Sequence, residues 1–220
     1  MIPSSFPGCF IAFEGIDHCG KFTQLHKVRN WLEENGYSVS FYGEPNDQSS
    51  LIGKRIRQIL QHEIPAPDPL EFQRMFVIDR AQNLICFLRP ALENGHVMLL
   101  ERYALSTLAF GMLNTPAEDL IELHRQILGP NVIWPDINLV IDISPEESIR
   151  RIAARKGERP QLFEKLEKLR IVRQNYIELS KRNDIGRTII VSGEKTPEEV
   201  FGDIQPIIFA AIKSKSCLAI

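Results

Sequence analysis

Apolar positions along the chain switch repeatedly between two spacings. Short apolar runs at residues 10–13 and 97–100, and the stretch 137–143 interrupted by Asn138 and Asp142, read as strands, and residues 38–42 and 188–191 carry the same β-branched and aromatic character. Between them the spacing becomes helical. Leu25, Val28, Trp31 and Leu32 form one such stretch, closed by Asn35-Gly36, where glycine supplies a left-handed stop. Leu51, Ile52, Ile56, Ile59 and Leu60 form a second, ended by the turn Ile64-Pro65-Ala66-Pro67. Asp68-Pro69 then reads as an N-cap with proline at the first helical position, opening a long helix to about Phe87 on which Phe72, Phe76, Asp79, Arg80 and Asn83 share neighbouring faces.

Three further helix starts follow from Thr115-Pro116-Ala117-Glu118, Ser144-Pro145-Glu146-Glu147 and Thr196-Pro197-Glu198-Glu199, each with the capping-box spacing. Strands alternating with helices imply right-handed crossovers and a parallel sheet of about five strands flanked by helices. With no internal repeat or long linker, residues 1–220 read as a single domain, and 214–220 as a loose tail.

Composition narrows the partners. The chain has 220 residues, 44% hydrophobic and 25% charged, with a net charge of −2, so it can bury a full core but carries no global basic field to hold a nucleic-acid polymer or an anionic membrane. Met1-Ile2-Pro3-Ser4-Ser5-Phe6 lacks a basic export signal, and no apolar run approaches the ~20 residues of a membrane span. Cys9, Cys19, Cys86 and Cys217 have no metal-type or redox-type spacing. These features lead us to expect a cytoplasmic protein with reduced thiols.

The chemistry concentrates after the first strand. Gly15-Ile16-Asp17-His18-Cys19-Gly20-Lys21 is a glycine-bounded loop between a strand and a helix, the arrangement whose backbone N–H groups and helix dipole cradle a phosphate. The pattern asks for Ser or Thr next, to ligate Mg²⁺, and the chain has Phe22, with Thr23 about 100° further round the helix. The competing reading is a glycine turn with no ligand. Cys19 reads either as a small residue in a tight turn or as a redox-sensitive thiol.

Polar clusters follow strand ends one to three, Asp17/Lys21, Glu44 and Glu101/Arg102, and a parallel sheet gathers them along its carboxyl edge. Converging cations beside a phosphate loop suggest phosphoryl transfer. Arg151, Arg155 and Arg159 recur at i, i+4 and i+8, as a solvated helix face or as arginines of a lid.

Residues 10–17, the Gly20-Lys21-x-Thr23-Gln24 ending, Asp79-Arg80-Ala81-Gln82, residues 101–110, Pro135-Asp136-Ile137 and Pro145-Glu146 together resemble the thymidylate kinase family over nearly the whole chain. The resemblance implies a P-loop NTPase three-layer α/β fold with a small lid at about 150–162, transfer of the ATP γ-phosphate to dTMP with Mg²⁺, and a homodimer. It places ATP on Gly15, Ile16, Asp17, His18, Cys19, Gly20, Lys21, Phe22 and Thr23. It places dTMP on Asp17, Glu44, Phe76, Arg80, Arg102, Ser106, Thr107 and Phe110, with Phe76 stacked on thymine, Arg80 on its exocyclic oxygen, Thr107 at the N3 edge and Phe110 crowding the ribose 2′ position. Lys21, Asp17, Arg102, Arg155 and Arg159 would be catalytic, and Glu101 with Asp17 would face the metal. The chain departs from the family at His18, Phe22, Gly43, Asn46-Asp47 and Glu101, mostly positions that handle phosphate or metal. Two rival readings stay open: a nucleotide-binding protein weakened in catalysis by Phe22, and a kinase for another nucleotide such as dUMP.

Overall fold

The computed structural model describes residues 6–154 and 165–216. Five strands, β1 (Cys9–Glu14), β2 (Val39–Gly43), β3 (Val97–Glu101), β4 (Ile137–Asp142) and β5 (Thr188–Ser192), form one parallel sheet in the order β2-β3-β1-β4-β5. The central strand β1 is buried along its whole length. Its alternate residues feed two separate cores, which is why the run shows no polar alternation. Ile11 and Phe13 join one apolar cluster, while Phe10 and Ala12 join another with Met98, Leu100 and Tyr103. Each large aliphatic or aromatic side chain so buried contributes roughly 1.5–3 kcal/mol, which makes the middle of the sheet the rigid platform for the loops at its carboxyl edge.

The helices are α1 (Lys21–Glu34), α2 (Leu51–Leu60), α3 (Pro69–Asn83), α4 (Arg89–Glu93), α5 (Ala104–Gly111), α6 (Ala117–Leu128), α7 (Pro145–Ala154), α8 (Leu166–Leu179) and α9 (Pro197–Ser216). On α1 the stripe Leu25, Val28 and Leu32 is buried, and Gly36 at φ 82° ends the helix as expected. Asp68 caps α3 by accepting from the N–H groups of Leu70 and Glu71.

Four local expectations are corrected. The long helix does not stop near Phe87: α3 widens into a π-helical turn over Leu84–Leu88 and continues as α4. Pro90 explains the widening, since it donates no N–H and its ring crowds the carbonyl four residues back. Thr115 caps nothing with its side chain, because α6 begins one residue later, behind Pro116. At Ser144 only half of the box forms: its hydroxyl accepts from the Glu147 N–H, but Arg150 and Arg151 draw off the Glu147 carboxylate and Glu194 takes the Ser144 N–H. The box at Thr196 and Glu199 is reciprocal. Residues 214–216 are no loose tail, since α9 runs through them and buried Lys215 pairs with Asp136 at 2.8 Å.

Candidate functional site

A cleft of about 1240 Å³ opens at the carboxyl edge of the sheet, between the loop after β1, the loop after β2, α3 and α5. The loop after β1 is shaped by its glycines. Gly15 has φ 130°, and a Cβ there would lie 2.5 Å from the Ile141 carbonyl oxygen. Gly20, at φ 101°, stands at the N-cap of α1 without a side-chain cap, which leaves the first-turn N–H groups for an anion. His18 also takes a positive φ, 59°.

Lys21 is buried, and its Nζ donates to the carbonyls of Ile16 at 2.9 Å and Gly15 at 3.3 Å. Arg102 reaches the same place from the end of β3. Its backbone holds φ 67°, a left-handed conformation unfavourable to a side chain, and its Nη1 donates to the Gly15 carbonyl at 3.2 Å and to Ser106 Oγ at 3.1 Å. Nη2 pairs with Asp17, and the guanidinium sits 5.1 Å over the Phe110 ring. Burial works against the charge of Arg102, yet Asp17 opposite holds its pKa above normal. Two cations thus converge on one carbonyl oxygen, with Asp17 beside them.

Behind Arg102 stands Glu14, wholly buried at the end of β1. It accepts from the N–H groups of Tyr103 and Ser106, from the Ser106 hydroxyl and from Tyr176 on α8. Burial raises its pKa, and those hydrogen bonds oppose the rise. The loop is braced from above by α7, where Ser148 donates to the Asp17 carbonyl and Arg151 donates to the carbonyls of His18 and Gly193. Arg151 is therefore a strut of the loop in this structure, where the helical stripe had left open a solvated face or a lid. Arg155 and Arg159 lie outside the described residues.

Phe22 does not fill the cradle. Its ring is 63% exposed and packs on His26 one turn along α1, at 4.3 Å between centroids. Thr23 is exposed beside it, and Cys19 is buried under the loop.

The other end of the cleft is more deeply buried. Arg80 on α3 is 1% exposed, and four of its five guanidinium N–H groups have partners. Its Nε and Nη2 donate to Glu44 Oε2 at 3.0 and 2.6 Å, Nη2 also donates to Thr107 at 3.1 Å, and Nη1 meets His124 Nε2 at 2.6 Å. The Tyr103 ring lies 4.6 Å from the guanidinium. Burial pushes the Glu44 carboxyl up to about 7 against the pull of Arg80, and its Oε1 has no partner among the described residues. Asp79, next to Arg80, fixes the loop after β2 by accepting the Asn46 N–H at 2.9 Å, and Asn83 joins the two. Phe76, Thr107 and Phe110 line the same end.

Of the described residues expected at the site, Ile16 is buried in the core, and all but Gly15 and Ile16 line the cleft. Glu101 lines it at the end of β3, and among the described residues no group of three or more His, Cys, Asp or Glu gathers to hold a metal. Sequence reasoning missed Glu14, Ser148, Tyr176 and His124. Only His124 left a usable trace, because it lies at i+4 from Leu120 and i−4 from Leu128 on the buried face of α6.

Comparison with known proteins agrees with the geometry. The family model described as Thymidylate kinase matches residues 13–204. The chain is 31% identical over 214 residues to a thymidylate kinase of Maridesulfovibrio salexigens, covering 93% of this chain and 96% of that one. It is 33% identical over 218 residues to a thymidylate kinase of Nitratidesulfovibrio vulgaris strain Miyazaki F, covering 93% and 98%. With a probable thymidylate kinase of Pyrococcus abyssi it shares 33% identity over 206 residues, covering 91% and 96%. A phosphate loop with two converging cations, a buried arginine pocket across the cleft and a match over most of the length lead to one statement: the chain belongs to the thymidylate kinase family.

Proposed function

We propose that this protein is an ATP-dependent dTMP kinase that transfers the γ-phosphate of ATP to dTMP, giving dTDP. The observation that carries the reading is the meeting of Lys21 and Arg102 at the Gly15 carbonyl, with Asp17 between the phosphate loop and the end of β3. Phosphoryl transfer needs little covalent chemistry from the protein and mostly requires positioning and charge neutralisation, which such a pair supplies.

In this reading the ATP phosphates lie on residues 15–23 and draw Lys21 off the loop carbonyls. Arg102 holds the dTMP phosphate while Asp17 sits near the sugar hydroxyl. Ser106 steadies Arg102, since its hydroxyl accepts from Nη1. Thymine stacks on Phe76 and meets Arg80 and Thr107, with Glu44 acting through Arg80. Phe110 crowds the 2′ position. Arg155 and Arg159 close over the transferring group from a lid at about 150–162.

Glu101 suits Mg²⁺. Its half-buried carboxylate opens on the cleft, and Mg²⁺ needs only one or two carboxylates beside phosphates and water. Asp17 is the second candidate. Once bound, Mg²⁺ would neutralise charge on the phosphates. The match to thymidylate kinases over most of the chain does not favour the reading of a weakened nucleotide binder. The partly exposed Ile78, Ile85 and Phe87 along α3 and its π turn support a homodimer through that face. Among the described residues no helix is long and apolar enough to cross a membrane. The free thiols of Cys9, Cys19 and Cys86 support a cytoplasmic protein.

The deciding experiment is product analysis from ATP and Mg²⁺ with dTMP, dUMP, UMP and dCMP in parallel. Fast, dTMP-selective formation of ADP and dTDP supports the kinase. Binding of dTMP without turnover would overturn it.

A further inference from the structure

His124 lies on α6, 44 residues from Arg80 in sequence, and is fully buried. Its two ring nitrogens have different neighbours. Nδ1 is 2.7 Å from the Leu120 carbonyl oxygen one turn back, and a carbonyl only accepts, so Nδ1 carries the hydrogen. Nε2 is 2.6 Å from Nη1 of Arg80, which only donates, so Nε2 presents a lone pair. Both conditions hold only for the neutral Nδ1–H imidazole. Burial and the Arg80 charge agree, pushing the His124 pKa down to about 3.

The rest of Arg80 is equally committed. Nε is taken by Glu44, both hydrogens of Nη2 by Glu44 and Thr107, and one hydrogen of Nη1 by His124. A guanidinium has five N–H groups, and among the described residues only the second one on Nη1 has no acceptor. It is the group beside the His124 bond.

We propose that His124 is a positioning residue that sets base selectivity by holding Arg80 so that this last N–H is offered to the acceptor nucleotide. The inference rests on the reading of Arg80 as the contact to the exocyclic ring oxygen. An imidazole with a single lone pair takes one hydrogen of Nη1 and leaves the other. A carboxylate there would accept both, and would add a negative charge beside Glu44. The base end then presents a fixed donor, which suits a pyrimidine with an oxygen at that ring position and opposes one with an amino group there. A site that leaves a buried donor unpaired discriminates far more than one that merely loses contact.

The test compares His124→Leu, His124→Gln and Arg80→Met in the full-length enzyme, measuring kcat, the KM values for dTMP and ATP, and the ratio of kcat/KM for dTMP over dCMP. His124→Leu, which has no acceptor, is expected to raise the dTMP KM about tenfold or more and to narrow the dTMP/dCMP ratio by about as much, with the ATP KM held within about threefold. His124→Gln, whose amide oxygen reaches toward Arg80, is expected to restore both to within about threefold of the natural protein. Should His124→Leu fail to fold, His124→Asn carries the same expectation, because it is too short to reach Arg80. The inference is overturned if the acceptor-less variant keeps the natural dTMP KM and ratio while Arg80→Met loses both. If Arg80→Met also keeps both, the base-contact reading is what fails.

Discussion

The two ends of the cleft are built on different plans. At the phosphate end the groups that would meet a ligand are a lysine bonded to loop carbonyls, an arginine with a side chain 19% exposed, and backbone N–H groups at a helix start. At the base end Arg80, Glu44 and His124 are almost wholly buried and bonded to one another before any ligand arrives. The phosphate end can exchange protein carbonyls for phosphate oxygens, so its contacts are provisional. The base end cannot rearrange without stranding a charge. On the proposed reading, one end serves a group that comes and goes with each turnover and the other reads a shape that must not vary.

That contrast can be broken at either end. The largest effect is expected from Arg102→Ala, which should lower kcat/KM for dTMP by about 10²–10³-fold while leaving the unfolding midpoint nearly unchanged, as steady-state kinetics and a denaturant titration will show. Arg80→Met should do the reverse in part: besides losing base recognition it leaves Glu44 buried without its cation, at a cost of roughly 3–5 kcal/mol in unfolding free energy. Equal stability of these two variants would erase the distinction between the ends.

Acid sharpens it. His124 is held down to about 3 when folded, against 6.5 for the free side chain, so below pH 6.5 the unfolded chain binds a proton that the folded one refuses and stability falls. Glu44 runs the other way, raised from 4.5 to about 7, so the folded chain gains stability as pH falls through that window. The two nearly offset each other in the natural protein. His124→Gln removes one side, and its stability relative to the natural chain should improve by about 1.4 kcal/mol per pH unit below 6.5, or about 2 kcal/mol at pH 5. Urea unfolding of both chains at pH 7 and pH 5 measures this, and parallel curves would contradict the neutral imidazole. The smallest effect is expected from Phe22→Thr, which should raise turnover by less than about tenfold, because the ring stands outside the cradle. A rise of several orders of magnitude from near zero would restore the binder reading.

The phosphate end was the more legible in the sequence. Its glycines, Lys21 and the strand that feeds them are contiguous, and local rules for turns and helix starts suffice to read them. The base end was half legible: Arg80 stood out by sharing a helical face with Phe76, Glu44 by ending the second strand and Thr107 by family resemblance, but that Glu44 and His124, 36 and 44 residues away, both bond Arg80 is the work of the fold. Glu14 was hidden differently. It closes an apolar strand, and nothing local says that a carboxylate there will find two hydroxyls and two backbone N–H groups. The continuation of α3 through a π turn past about Phe87 is not legible locally, because a proline such as Pro90 normally ends a helix, while the wider turn lets this one pass.

The fixed tautomer of His124 also makes it a built-in reporter. One ring nitrogen bears a hydrogen and the other a lone pair, and the two kinds resonate far apart in nitrogen NMR. If Arg80 contacts the acceptor's base as proposed, that signal should shift when dTMP fills the pocket and stay put when only ATP is added. Occupancy of one half of the cleft can then be followed without labelling a substrate.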